Sequence, residues 1–204
     1  GIILDLGLSS DQLDNSGRGF SFRRDEPLYM TMKENPLPED ITAYDVVNTW
    51  EEKNLADIIY GYGEEQFARR IAKGIVEARN VAPIKTTFDL VKVIEESVPN
   101  FYKKGRIHPA TKTFQAIRIA VNDELGALRE GLEKGFGALK VEGRMSIISF
   151  HSLEDRIVKR FYKNKEVGEE GLLITKRPQV ASLEEVRINP RSRSAKLRII
   201  EKIK

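Results

Sequence analysis

The sequence predicts an α/β fold of the nucleotide-binding type with an inserted all-α domain. A buried-strand pattern opens the chain in residues 1–7, and strand and helix patterns alternate after residue 110. A loop follows the first strand, and helical patterns fill residues 35–110. Alternating strands and helices are typical of a sheet covered by helices. We therefore assign residues 1–34 and 111–204 to the sheet domain and residues 35–110 to the helical insertion.

The first strand supplies the first candidate site residue. An apolar run from Ile2 to Leu4 ends in Asp5, and Gly7 follows. Ligands of open α/β sheets bind beyond the carboxyl ends of the strands, so Asp5 is placed to accept hydrogen bonds from an amine or a ribose hydroxyl. A helix cap or a loop anchor is the alternative role. Such a strand rarely opens a protein, so we expect further strands before it in a longer parent.

Apolar spacings of three and four residues predict the helices. The longest is expected from about Lys112 to Leu139. Thr87 and Ser152 are the predicted N-caps of two other helices, and the segment Thr49–Glu52 fits a capping box. The strands predicted after the helical region are Arg144–Phe150, Leu172–Thr175 and Leu197–Ile203.

Composition bounds the classes of function. The chain has 34 Lys and Arg against 31 Asp and Glu, a net charge of +3, which permits an RNA partner without requiring one. There is no cysteine, which excludes disulfides and thiolate metal sites. The two histidines show no metal-ligating spacing. No apolar run reaches the roughly 18 residues of a membrane span, so we expect a cytoplasmic protein.

A second candidate site follows the strand that ends near Phe150. His151, Ser152 and two acids come directly after it. A hydrolase is disfavoured because Ser152 opens an ordinary capped helix instead of a strained nucleophile elbow. His151 is a catalytic candidate, and the simpler interpretation is a loop histidine beside a helix N-cap.

Two basic segments have the composition of phosphate-binding loops. Arg106 and His108 lie in a loop that also contains glycine and proline. Arg191 and Arg193 lie in a segment where serines alternate with cations. Such residues position proteins on nucleic-acid backbones, and the alternative is a solvated surface.

Six strings of the chain match the motifs of one family in a single order. They are Leu4–Ser10 with Gln12–Asp14, Arg18–Phe22, Tyr62–Ile71, Ile107–Leu125, Ile148–Lys159 and Asn189–Arg198. Together they closely resemble the bacterial ribosomal RNA small-subunit methyltransferase H family, also called the MraW family. The resemblance covers essentially the whole chain.

The resemblance implies a class I S-adenosyl-L-methionine-dependent methyltransferase with a Rossmann-like sheet. Its expected substrate is the N4 amine of a cytidine in the decoding region of 16S rRNA, and its inserted helical domain helps to recognise RNA. Asp5 and Gln12 occupy the places of cofactor-binding residues. Asp5 and His151 are also candidates to polarise the amine. The residues expected to contact rRNA are Arg18, Arg106, His108, Arg191 and Arg193.

The chain departs from the family pattern in two places. The family's glycine-glycine-histidine loop and ribose-holding acid would precede Gly1, so we expect three strands to be missing. The first strand here would then present a hydrophobic edge that favours homodimers or strand exchange. Tyr29, Thr31 and Lys33 replace three charged residues of the family, either through loop drift or through relaxed selection or a changed rim. The alternative function is a non-catalytic RNA-binding fragment or pseudoenzyme.

Overall fold

The computed structural model describes residues 1–204, which divide into two compact units. The sheet unit comprises Gly1–Leu8 and Leu125–Lys204, and the helical unit comprises Ser9–Glu124. These borders differ from the predicted ones at residues 34 and 110. The loop before residue 34 belongs with the helices because its backbone is bonded to them: Thr87 donates its hydroxyl to the carbonyl of Arg24 at 2.6 Å.

The helical unit contains seven helices around one apolar core. They are α1 (Ser10–Asn15), α2 (Ala43–Thr49), α3 (Glu52–Gly61), α4 (Ala68–Val81), α5 (Thr87–Ser97), α6 (Asn100–Lys103) and α7 (Ala110–Asn122). The side chains at the centre are fully buried and lie at helical spacings. They include Leu55, Ile59, Ile71, Ile75, Leu90, Ile94 and Ile117.

Two helix starts in this unit differ from the prediction. The N-cap of α5 is Thr86 and not Thr87, because Asp89 lies three residues after Thr86 and completes a capping box. The capping box predicted at Thr49 is wrong. Thr49 is the last residue of α2, where its hydroxyl donates to the carbonyl of Asp45, and Glu51 precedes α3 without a side-chain cap.

The long helix predicted from Lys112 to Leu139 is two helices. α7 ends at Asn122, and α8 (Glu124–Ala138) begins after Asp123, whose φ of 45° is left-handed. The Asn122 side chain donates to the carbonyl of Met30 and accepts from the amide of Met32, each at 2.7 Å. This bond to a distant loop fixes Asn122 at a helix end, so the break depends on tertiary structure.

The sheet unit contains five strands in a mixed sheet, which confirms the α/β fold. They are β1 (Ile2–Asp5), β2 (Arg144–Ser149), β3 (Gly171–Leu173), β4 (Gln179–Val180) and β5 (Lys196–Lys202). The order is β1-β2-β5-β3, with β4 also paired to β5. β1 runs parallel to β2, whereas β5 is antiparallel to its neighbours. The carboxyl ends of β1 and β2 and the amino end of β5 therefore meet at one end of the sheet, which we call the rim.

β1 is an outer strand of this sheet, and Ile3 on it is 76% exposed. Homodimerisation or strand exchange through this edge stays a prediction. The remaining helices of the unit are α9 (Ser152–Val167), α10 (Leu183–Ile188) and the 3₁₀ helix Pro190–Ser194. None of the ten α-helices combines the length and apolar composition that membrane crossing requires.

The core of the sheet unit lies between the sheet and its covering helices. It contains Leu128, Leu132, Phe136, Leu139, Met145, Ile147, Val158, Tyr162 and Ile200. A Cβ at Gly135 would stand 2.6 Å from the Met145 methyl group, so this glycine lets α8 approach the sheet closely. The buried Tyr162 hydroxyl donates to the Met145 carbonyl at 2.9 Å, and burial raises its pKa.

Candidate functional site

Asp5 lies at the rim as the last residue of β1. Its side chain is exposed and makes no hydrogen bond or ion pair within the protein. The next amide, Leu6, donates to the carbonyl of Ile148 at 3.0 Å and so ties this segment to β2. Gly7 has a φ of +88°, which suits glycine and brings backbone close to the rim. The carboxylate is therefore held on a rigid strand and is available to an external donor.

His151 lies at the same rim, immediately after β2. It is the N-cap of α9: its Nδ1 accepts the amide N–H of Glu154 at 3.4 Å. The predicted cap at Ser152 is therefore wrong by one residue, because an imidazole nitrogen accepts the N3 amide as a hydroxyl oxygen does. Nδ1 is engaged as an acceptor, so the neutral ring carries its proton on Nε2.

The partner of His151 is Glu154, one of the two acids that follow the strand, although the sequence did not predict this pairing. Its Oε2 accepts from the amides of Phe150 at 2.9 Å and His151 at 3.3 Å, and its Oε1 lies 3.3 Å from Nε2 of His151. Burial raises the pKa of Glu154, but the bonds and charge of His151 and the two amides outweigh it and hold the pKa below its usual value. The spacing of three residues after His151 was the available signal.

Asp155 binds two cations that the sequence placed in a phosphate-binding segment. Arg198 makes a bidentate contact at 2.7 and 3.3 Å, and Lys196 lies 3.2 Å from the same carboxylate. Burial raises the pKa of Asp155, but Arg198 and Lys196 outweigh it and lower the pKa. These two cations therefore join β5 to α9 within the protein.

Arg191 and Arg193 lie on the 3₁₀ helix that leads into β5. The first residue of β5, Lys196, pairs with Ser149 at the carboxyl end of β2, so both arginines approach the rim from β5. Both are exposed, and Arg193 makes no hydrogen bond or ion pair. The structure thus brings Asp5, His151 and these two arginines to one end of the sheet.

Gln12 and Arg18, the other residues expected near the N-terminal motif, lie in the helical unit. Gln12 shares a capping box with Ser9: its Oε1 accepts the Ser9 amide at 3.0 Å, which leaves its two amide N–H groups open to a ligand. Arg18 donates through Nη1 to three loop carbonyls at 3.0–3.2 Å. Those carbonyls belong to Thr31, Met32 and Lys33.

The three departures from the family pattern lie in this ordered loop. Thr31 is buried and accepts the amide of Lys33, Lys33 forms an ion pair with Asp40, and Tyr29 is exposed. Arg18 therefore has a role in holding the loop, and its contact with rRNA stays a prediction.

Arg106 and His108 differ although they share one loop. His108 stacks on Phe22 with ring centroids 4.7 Å apart, accepts the Ala110 amide, and lies 3.4 Å from Glu95. Arg106 is exposed and makes no hydrogen bond or ion pair. Of the two side chains, only that of Arg106 has no partner within the protein and is therefore available to a ligand.

Comparison with known proteins gives a consistent result. The family model described as the MraW methylase family matches residues 1–203. A protein of Deinococcus deserti called ribosomal RNA small subunit methyltransferase H is 56% identical over 203 residues, which are 100% of this chain and 65% of that protein.

Proteins of the same name from a Synechocystis species and from Deinococcus radiodurans are similarly related. Both are 54% identical, over 100% and 99% of this chain and 64% and 62% of their own lengths. The chain thus spans less than two thirds of these three relatives. The family resemblance read from the sequence is confirmed.

Proposed function

Because the chain belongs to the MraW methylase family, we propose that it works in an S-adenosylmethionine-dependent methylation of small-subunit ribosomal RNA in the cytoplasm. The target we propose is the N4 amine of a cytidine in the decoding region of 16S rRNA. The observation that carries the proposal is the unpartnered carboxylate of Asp5 at the carboxyl end of β1. The names of the relatives supply the reaction class.

The residues present fit part of the proposed cofactor. The free carboxylate of Asp5 suits an ammonium group or ribose hydroxyls, and the open amide N–H groups of Gln12 suit an acceptor. When bound, S-adenosylmethionine supplies a methyl group made electrophilic by a positively charged sulfur. Asp5 and Gln12 are therefore our proposed cofactor contacts.

The target amine sets the chemical problem. The lone pair of the exocyclic nitrogen is delocalised into the cytosine ring, so the amine is a weak nucleophile. A carboxylate that accepts one amine N–H favours the localised lone pair while the new N–C bond forms, and it is a place for the released proton. Asp5 has the position for this role, and contact with the cofactor is its alternative role.

His151 is the second candidate for moving this proton. Its Nδ1 is engaged in the cap of α9 and its Nε2 is buried beside Glu154, so proton transfer from the target would require the ring to leave this pair. Oε1 of Glu154 lies 3.3 Å from Nε2. The rigid cap also fixes the ring orientation, as an in-line transfer needs.

Binding of rRNA is the role we propose for the exposed arginines. Arg191 and Arg193 stand at the rim, where a phosphate beside the target nucleotide would lie, and Arg106 and His108 are the contacts proposed in the helical unit. The target base must be unstacked to reach a carboxylate at a strand end.

The proposal is tested by methyl transfer to small-subunit rRNA. The chain is first titrated calorimetrically with S-adenosylmethionine and then incubated with the rRNA, and the digested nucleosides are analysed by mass spectrometry. We expect N4-methylcytidine from the wild type and none above background from Asp5→Asn. Cofactor binding without any methylated cytidine would contradict the proposed target.

RNA binding without catalysis is the second candidate function. The free charges of Arg106 and Arg193 favour it because they need no cofactor to attract phosphates. RNA binding by a folded chain that does not bind S-adenosylmethionine would support this function over methyl transfer.

A further inference from the structure

Phe101 is an aromatic side chain that the structure presents to solvent. It lies on the short helix α6 and is 70% exposed. Exposed phenylalanine is common on protein surfaces, so exposure alone assigns no role. Its surroundings distinguish it from the other exposed aromatic residues.

The first distinguishing feature is a rigid support. The neighbouring Tyr102 donates its hydroxyl to Oε2 of Glu65 at 2.5 Å, and the fully buried Glu65 also accepts the amide of Phe67 at 2.9 Å. Burial, together with the Glu65 carboxylate, raises the pKa of the Tyr102 phenol, so this bond keeps its proton. Phe67 contacts Tyr102 and Phe101 edge to face, with centroids 5.0 and 6.3 Å apart.

The second feature is uncompensated positive charge. Lys103, Lys104 and Arg106 follow Phe101 along the chain, and all three are exposed without a side-chain hydrogen bond or ion pair. Arg70 is also exposed and lies over the Phe67 ring at 5.9 Å. Cations without acidic partners beside a fixed aromatic face are complementary to a polyanion that carries flat bases.

We propose that Phe101 is a stacking platform for one unpaired base of single-stranded RNA. In this site Arg70, Lys103, Lys104 and Arg106 contact the flanking phosphates. A base inside a duplex is already stacked on both faces, so the platform selects single strands. The inference rests on the proposed RNA substrate and adds to it the residue that recognises unpaired bases.

The test is RNA binding by the whole chain, measured by fluorescence anisotropy with an unstructured 12-nucleotide oligoribonucleotide and its duplex. We expect Phe101→Ala to weaken single-strand binding about tenfold and Phe101→Trp to preserve it, because stacking needs only an aromatic face. Phe101→Leu keeps apolar bulk and is expected to behave as alanine does. Circular dichroism of each variant checks the fold.

The matched control is Phe88→Ala. Phe88 is an exposed phenylalanine of the same unit, 48% exposed, but its amide contacts an acid, Asp25. We expect the RNA affinity of the Phe88→Ala variant to stay within about twofold of that of the wild type. The salt dependence separates the two kinds of contact: Arg106→Gln should lower the slope of log affinity against log salt by about 0.7, whereas Phe101→Ala should leave it unchanged.

Three outcomes would overturn the inference. Equal single-strand affinity of Phe101→Ala and wild type removes the platform and leaves the proposed function standing if methyl transfer to rRNA persists. Duplex binding as tight as single-strand binding removes the selection for unpaired bases. Absence of RNA binding by the wild type, with the fold intact, overturns both the platform and the proposed rRNA substrate.

Discussion

Arg198 and Arg106 lie in two segments of equally basic composition, yet the structure uses them differently. Arg198 is buried and makes a bidentate contact with Asp155, so its charge is compensated within the sheet unit. Arg106 is exposed and bonded to nothing in the helical unit. Local density of lysine and arginine therefore does not tell which charges are paired within the protein, whereas the contacts of each side chain do.

The largest effect is expected at the free carboxylate of Asp5. Asp5→Asn should reduce single-turnover methyl transfer at least about a hundredfold, because the amide is a far weaker proton acceptor. Its free energy of unfolding should change by less than about 0.5 kcal/mol, since no internal bond is lost. A stability loss of several kcal/mol would show that Asp5 is structural.

Substitution of Asp155, which is paired with Arg198, should reduce the stability of the fold, in contrast to substitution of Asp5. Asp155→Ala leaves Arg198 buried without its carboxylate, and we expect a loss of about 3 kcal/mol in urea-induced unfolding. The double variant Asp155→Ala/Arg198→Met should recover part of this loss, because no unpaired charge is then buried. Losses that simply add would argue that the pair is not coupled.

A third prediction concerns Arg18, which the sequence analysis expects to contact rRNA. Arg18→Met removes three hydrogen bonds to loop carbonyls, so we expect about 2 kcal/mol of destabilisation. Thermal or urea unfolding measures it. Unchanged stability together with weakened RNA binding would show that Arg18 contacts RNA and does not hold the loop.

The acids of α9 predict a loss of stability in acid. The pKa values of Glu154 and Asp155 are lowered in the folded protein from 4.5 and 3.8, so their stabilisation is present above those values and is lost as pH falls through the lower folded values. Unfolding free energy measured from pH 6 to pH 3 should fall below about pH 4.5. Asp155→Asn should flatten the lower part of this curve.

The smallest effect on stability is expected at Arg193. Arg193→Gln should leave the unfolding free energy within about 0.5 kcal/mol of the wild type, since the side chain has no partner. Its effect should appear only in RNA binding, as a salt slope smaller by about 0.7. A marked drop in melting temperature would show a structural contact instead.

The sequence predicts the sheet and most of the rim. Asp5 and His151 were both placed by the rule that carboxyl ends of parallel strands meet, and the structure brings them to one end of the sheet. The pairing of Lys196 and Arg198 with Asp155 was not predicted because their partner lies about 40 residues away.

Local errors in the prediction have a similar cause. The break at Asp123 depends on bonds from Asn122 to Met30 and Met32, some 90 residues earlier. The N-cap of α9 is His151 and not Ser152, because the imidazole Nδ1 accepts the Glu154 amide N–H. In each case the local sequence pattern was compatible with several helix boundaries, and a side-chain contact determined which boundary the structure has.

The position of β5 has a consequence for synthesis on the ribosome. β5 follows the other four described strands along the chain, yet it lies between β2 and β3, about 50 residues after β2. At roughly 5–20 residues per second, the open side of β2 stays unpaired for about 3–10 s. During that interval the nascent chain carries an unprotected strand, so chaperone demand should peak just before β5 emerges.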